Sequence, residues 1–105
     1  MAYFFCRLIP PRPSFANDMN DSERRVMQEH ATYWREKAER GSAVIFGPVA
    51  DPKGPWGLGI VDAADEAELQ ILIAADPAIT SKIGMHYESY PMLRAIVRDS
   101  LQPVA

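Results

Sequence analysis

The chain begins with an almost unbroken apolar and aromatic run from Tyr3 to Ile9, which the prolines of "PPRP" at 10–13 bring to an end. Proline has no N–H to give to a strand ladder, so a first strand followed by a loop is predicted. The pattern then changes period. Met27, Ala31, Trp34 and Ala38 recur at steps of four, three and four, while Arg24, Arg25, Glu29, Glu36 and Glu39 fill the intervening positions, which predicts an amphipathic helix. Asn20 with Glu23 three residues on is a capping-box start for that helix, and Gly41 is its stop. "SAVIFGPVA" and "WGLGIVDA" then read as two strands joined by the turn "DPKGP", a hairpin in which Gly54, Gly57 and Gly59 serve as turn or bulge glycines.

A second helix starts at Asp65 with Glu68 behind it. Its stripe of Leu69, Leu72 and Ile73 reaches Asp76 at the next helical step, where Pro77 biases the preceding residue away from helical angles and ends the element. "KIGMHYESYPM" is the last predicted strand, and a short helix is predicted from Met92 to Leu101 in the tail 92–105. The order β, α, β, β, α, β is the split-βαβ pattern of an α+β, ferredoxin-like protomer, an antiparallel sheet with both helices on one face. The other sheet face is left bare. Both alternating sets of the first strand, Tyr3, Phe5, Ile9 and Phe4, Cys6, Leu8, are apolar, so both faces need cover. A second copy, sheet against sheet, is the most economical cover, and a homodimer through the sheet face is expected.

Composition narrows the classes. With 105 residues, 48% of them hydrophobic, the chain 1–105 supports one domain and one core. A net charge of −3 without a basic cluster argues against nucleic acid as a partner. The apolar N-terminal run is short, carries Arg7 and lacks a basic leader or cleavage site, so a strand is expected there in place of a signal peptide or membrane span. Cys6 is the only cysteine, which rules out an internal disulfide and makes a reduced, cytoplasmic protein the simplest expectation. No spacing of His, Asp and Glu points to a metal, and no glycine-rich loop precedes a helix, so no cofactor is expected.

Two histidines remain as candidate chemistry. His30 lies one position off the helix stripe, among Val26, Met27, Tyr33 and Trp34, at the edge of the buried face. The fold sets its helix beside the one that ends at Asp76. A histidine held by a carboxylate is a unit for proton transfer, because the acid fixes the tautomer and strengthens the other ring nitrogen as a base. The plainer reading is a packed histidine and an aspartate bonding local amides. His86 with Glu88 reads as a solvated or dimer-edge pair. Arg7, on the side of Phe5, is a snorkelling or a paired arginine, or else an anchor for an anionic ligand in a dimer cavity.

In order along the chain, "RRVMQEHATYWREKAERG", "GSAVIFGPV", "GPWGLGIVDAADEAE", "AADPAI" and "YESYPM" together resemble the YciI-like, or YCII-related, proteins. The resemblance runs from about Arg24 to Met92 and fits the first strand. It implies a dimeric α+β barrel of ferredoxin-like protomers, with a site built on a His and an Asp that match His30 and Asp76 here. It also implies cofactor-free proton transfer on a small organic substrate, of lyase, dehydrochlorinase or isomerase type. Two departures stand out: many relatives carry an arginine three residues before the His and a Gly-Ser pair in strand three, where this chain has Arg25 and "GLGI". On this reading Trp34, Gly47 and Pro48 shape a pocket, Tyr33 hydrogen-bonds a developing oxyanion, and Arg7 binds substrate. The rivals are a non-catalytic dimeric ligand-binding protein, with a structural His–Asp pair, and a cofactor-free monooxygenase. An open cavity beside the pair favours catalysis; a sealed pair favours structure.

Overall fold

In the computed structural model, which describes residues 2–98, the long helix starts where its capping box predicts. The Asn20 side chain accepts the Glu23 N–H at 2.8 Å, and the Glu23 carboxylate accepts the Asn20 N–H at 3.0 Å. Gly41 takes φ +87° just past the helix end, a conformation that costs glycine little. The elements are β1 (Ala2–Ile9), α1 (Phe15–Asp18), α2 (Asp21–Glu39), β2 (Ala43–Val49), β3 (Trp56–Ala63), α3 (Glu66–Ala74), α4 (Pro77–Thr80) and β4 (His86–Pro91). The strands form one sheet in the order β2-β3-β1-β4, and every neighbouring pair is antiparallel. This is the ferredoxin-like α+β arrangement expected from the order of elements.

Alternation along β1 decides which face the helices cover. Phe4, Cys6 and Leu8 are buried, and Phe4 and Cys6 share a core with Val61 and Ala63 of β3, Trp34 of α2, and Leu69 and Ile73 of α3. Burial, and then the charge of Glu66, pushes the Cys6 thiol up to about 11, so it stays an inert apolar filler. The opposite face carries Phe5, Arg7 and Ile9, in register with Ile60 and Leu58 on one side and with Tyr90, Glu88 and His86 on the other. It is open in the single chain: Ile45 is 56% and Tyr90 58% exposed.

Three expectations need correction. The buried positions of α2 are Glu23, Val26, His30 and Trp34, so the inward face is rotated about one residue from the predicted stripe. Ala31 and Ala38 are exposed, because a methyl group adds little to the burial energy beside an indole or a satisfied imidazole. The second helix stops at Ala74, and Asp76 instead caps a new short helix, α4, with Pro77 at its first position. Met92–Arg98 forms no helix; the Met92 N–H extends the sheet by donating to the Tyr3 carbonyl at 2.9 Å, and the remainder of the predicted tail helix lies outside the described residues. Among the described residues no helix is long and apolar enough to cross a membrane.

Candidate active site

The centre of the site is the carboxylate of Asp76, which is fully buried. A bare buried carboxylate is far too costly to persist, and four donors satisfy this one. Its Oδ1 accepts the Ala78 N–H at 2.9 Å, the capping bond of α4. His30 Nδ1 lies 2.9 Å from both carboxylate oxygens. Oδ2 also accepts the Trp34 indole N–H at 2.9 Å and the Tyr87 hydroxyl at 2.5 Å. Burial pushes Asp76 up, but the hydrogen bond and charge of His30, with the bonds from Tyr87 and Trp34, outweigh it and hold the carboxyl below its ordinary value. Burial and the charge of Asp76 push Tyr87 upward, so its hydroxyl stays a donor.

An ionised Asp76 can only accept, so Nδ1 of His30 carries the proton and Nε2 is the free acceptor of the neutral ring. Nε2 has no protein partner among the described residues, and it is not among the buried atoms left unpaired. It opens onto a cavity of about 520 Å³ that His30 helps to line. The pair is therefore sealed on the Asp76 side and accessible on the His30 side.

Aromatic packing holds the imidazole in place. Phe46 of β2 stacks on Trp34 with ring centres 4.4 Å apart and planes at 14°, and meets His30 edge-on at 5.2 Å. Phe46 can lie flat over β3 only because Gly59 is its cross-strand neighbour: a Cβ there would sit 2.5 Å from the Phe46 ring. Gly57 plays the same part more loosely, its Cβ position being 3.2 Å from Leu8 and 3.4 Å from Phe46. The glycines of "GLGI" are thus close-approach glycines, and the strand irregularity lies elsewhere, between Ala43 and Ile45.

One wall of the cavity comes from the β1–α2 connection, through Pro10, Phe15, Ala16 and Met19. That segment is fastened by Arg12, which donates to both oxygens of Glu23 at 2.8 and 2.9 Å and to Asp18 at 2.9 Å, and which stacks over Phe15. Glu23, already part of the capping box, is pushed down to about 2 by the Arg12 bond first and then by the Asn20 N–H. Gly54, at φ +126°, lets the β2–β3 turn pass so close to Pro13 that a Cβ would lie 2.7 Å from its carbonyl oxygen.

Of the site residues expected from sequence, His30, Trp34, Gly47 and Pro48 line this cavity, and Asp76 lies behind His30. Tyr33 does not line it; its hydroxyl donates to the Leu72 carbonyl at 2.5 Å and is committed to holding α3 on α2. Arg7 is on the far side of the sheet, 4.4 Å over the Trp56 ring, with its Nε buried and unpaired. His86 and Glu88 are exposed on that same face. Sequence reading missed Tyr87, Phe46 and the Arg12–Glu23 fork. Tyr87 had a signal: alternation in β4 sets it opposite His86 and Glu88, on the helix-covered face.

A family model described as the YCII-related domain matches residues 3–95. No curated protein matches the chain.

Proposed function

The chain belongs to the family of YCII-related domains, and from that premise we propose that it is a cofactor-free enzyme in which His30 moves a proton and Asp76 orients and charge-balances it. The observation that carries this reading is the division of the pair, with Asp76 wholly enclosed by donors and Nε2 of His30 facing an apolar cavity. A pair that only packed the core would need no such opening.

The chemistry follows from the tautomer. Nε2 takes a proton from a carbon of the substrate, and the imidazolium that forms lies 2.9 Å from a fixed anion. Returning that proton to a different carbon is an isomerisation. Alternatively, the electron pair of the broken C–H bond forms a double bond while a leaving group such as chloride departs with its own pair, and the imidazolium passes its proton to solvent. That is the lyase or dehydrochlorinase outcome. A small organic substrate fits the cavity volume of about 520 Å³.

Proton exchange tests this directly. Cyclic carbon acids incubated with the protein in deuterated water are expected to gain deuterium, followed by NMR, with the rate falling roughly 100-fold in His30→Gln and Asp76→Asn. A folded His30→Gln protein that exchanges as fast as wild type overturns the assignment.

The second reading, a non-catalytic ligand-binding protein, is favoured by one observation: the hydroxyls of Tyr33 and Tyr87 are both committed to protein acceptors, so neither is free to hold an oxyanion. Under either reading the functional unit is a homodimer closed through the open sheet face into a barrel. The outward-facing Phe5, Ile60, Ile45 and Tyr90, and the unpaired Arg7 Nε among them, support this. Sedimentation equilibrium should show a dimer at micromolar protein; a monomer there removes the barrel. The lone, buried Cys6 supports a cytoplasmic location.

A further inference from the structure

The cavity wall is apolar almost throughout, and its uncommitted polar groups are few. The indole N–H of Trp34 is bonded to Asp76 and that of Trp56 to Asp51, which leaves His30 and Arg35 as the lining side chains with a free polar head. Arg24 pairs with Asp21, Arg40 with Glu36, and Arg12 with Glu23 and Asp18. Arg35, like Arg25 on the same helix, makes no ion pair among the described residues, but unlike Arg25 it lines this cavity. No acidic side chain lines the cavity to neutralise it.

We infer that this cavity selects small, largely apolar monocarboxylates, with Arg35 holding the carboxylate at the mouth while the reacting carbon lies against His30. The inference rests on reading the His30 cavity as the ligand site, and it deepens that reading by naming the charge and shape of the ligand. His30 and Arg35 are five positions apart on α2, an axial rise of about 7.5 Å with a turn of about 140°, so His30 is buried in the wall while Arg35 meets the cavity at its exposed rim. Met19, Met27 and Met85 give the walls an unbranched, adaptable surface suited to a ring.

Charge arithmetic favours one carboxylate over a phosphate. Phosphate sites draw on backbone N–H groups and the positive end of a helix. His30 is at the midpoint of α2 and Arg35 is in its C-terminal half, towards the negative end, and the first turn of that helix is acidic. One guanidinium there balances one charge.

The test is equilibrium binding followed by the fluorescence of Trp34 and Trp56, which both line the cavity, using phenylacetate and cinnamate, their neutral primary amides, and phenyl phosphate as the dianion. Wild type is expected to bind each acid about twofold to fivefold more tightly than its amide, as one exposed ion pair allows. Arg35→Gln should erase that preference without weakening the amides, and Arg35→Lys should keep most of it. Equal binding of acids and amides, or an unchanged preference in Arg35→Gln, overturns the assignment to Arg35 while the cavity stands as a ligand site. Tighter binding of phenyl phosphate overturns the monocarboxylate class. Failure of both acids and amides to bind overturns the ligand-site reading and this inference with it.

Discussion

Replacing Tyr87 with phenylalanine removes one oxygen and leaves the ring, so it isolates the bond that ties β4 to Asp76. The hydroxyl donates to Oδ2 at 2.5 Å, and the acceptor is an ionised carboxylate with no solvent exposure. Hydrogen bonds to charged groups contribute about 1.5–3 kcal/mol each, and the ring of phenylalanine leaves no large void to add to that. With m about 1.5 kcal/mol/M for urea, a loss of about 2 kcal/mol lowers the unfolding midpoint by about 1.3 M at pH 7. The pH dependence is the sharper part. The folded value of Asp76 lies below its ordinary 3.8, so its contribution is complete above that pH and disappears as pH falls through the folded value. Losing the Tyr87 bond moves Asp76 back up, so the gap between wild type and Tyr87→Phe should be constant above the ordinary carboxylate range and close below it. Urea titrations at pH 7, 5, 4 and 3 measure this. A midpoint shift equivalent to less than about 0.5 kcal/mol at pH 7, or a gap that does not narrow at any acid pH down to the point where both proteins unfold, refutes the view that Tyr87 stabilises a charged Asp76.

Gly59→Ala should cost about 1–3 kcal/mol in chemical denaturation and weaken the near-ultraviolet signal of the Trp34–Phe46 stack, because the new methyl group would stand 2.5 Å from a ring that the indole keeps from moving away. Gly47→Ala is the control: nothing lies within 4 Å of its Cβ position, so stability should change by less than about 0.5 kcal/mol. For Glu23, pushed down to about 2 from an ordinary 4.5, the stabilisation is complete above pH 4.5 and is lost as pH falls towards 2. The stability difference between wild type and Glu23→Gln should therefore narrow across that interval in acid-unfolding curves, and a difference independent of pH would deny the Arg12 fork its role.

Local signals in the sequence were decisive for the elements. The Asn20–Glu23 box, the Asp65–Glu68 cap, the prolines after Ile9 and the alternation of β1 all depend on residues within a few positions of each other, and each is found where those short-range rules set it. Their order was enough for the antiparallel four-stranded sheet. His30 and Asp76 were legible as candidates for the same reason: an imidazole at a helix margin and an acid before proline are local anomalies that ask for a partner.

What the tertiary structure decided is which residues of different elements meet. The α2 stripe of Met27, Ala31, Trp34 and Ala38 reads as core by periodicity, yet of these only Trp34 is buried, and His30 turns inward beside it because Asp76, 46 positions from His30, satisfies both. The displaced apolar stripe then becomes cavity wall. Tyr33 and Arg7 look equally fit for a site, but one finds a carbonyl on α3 and the other stands on the far side of the sheet. Phe46 reaches His30 because register sets it opposite Gly59, and Tyr87 reaches Asp76 because β4 lies beside β1. Periodicity records which side of its own element a residue occupies. The strand register and helix docking that bring Asp76, His30, Trp34 and Tyr87 together are properties of the whole packed chain, settled by the mutual satisfaction of buried polar groups that are far apart in sequence.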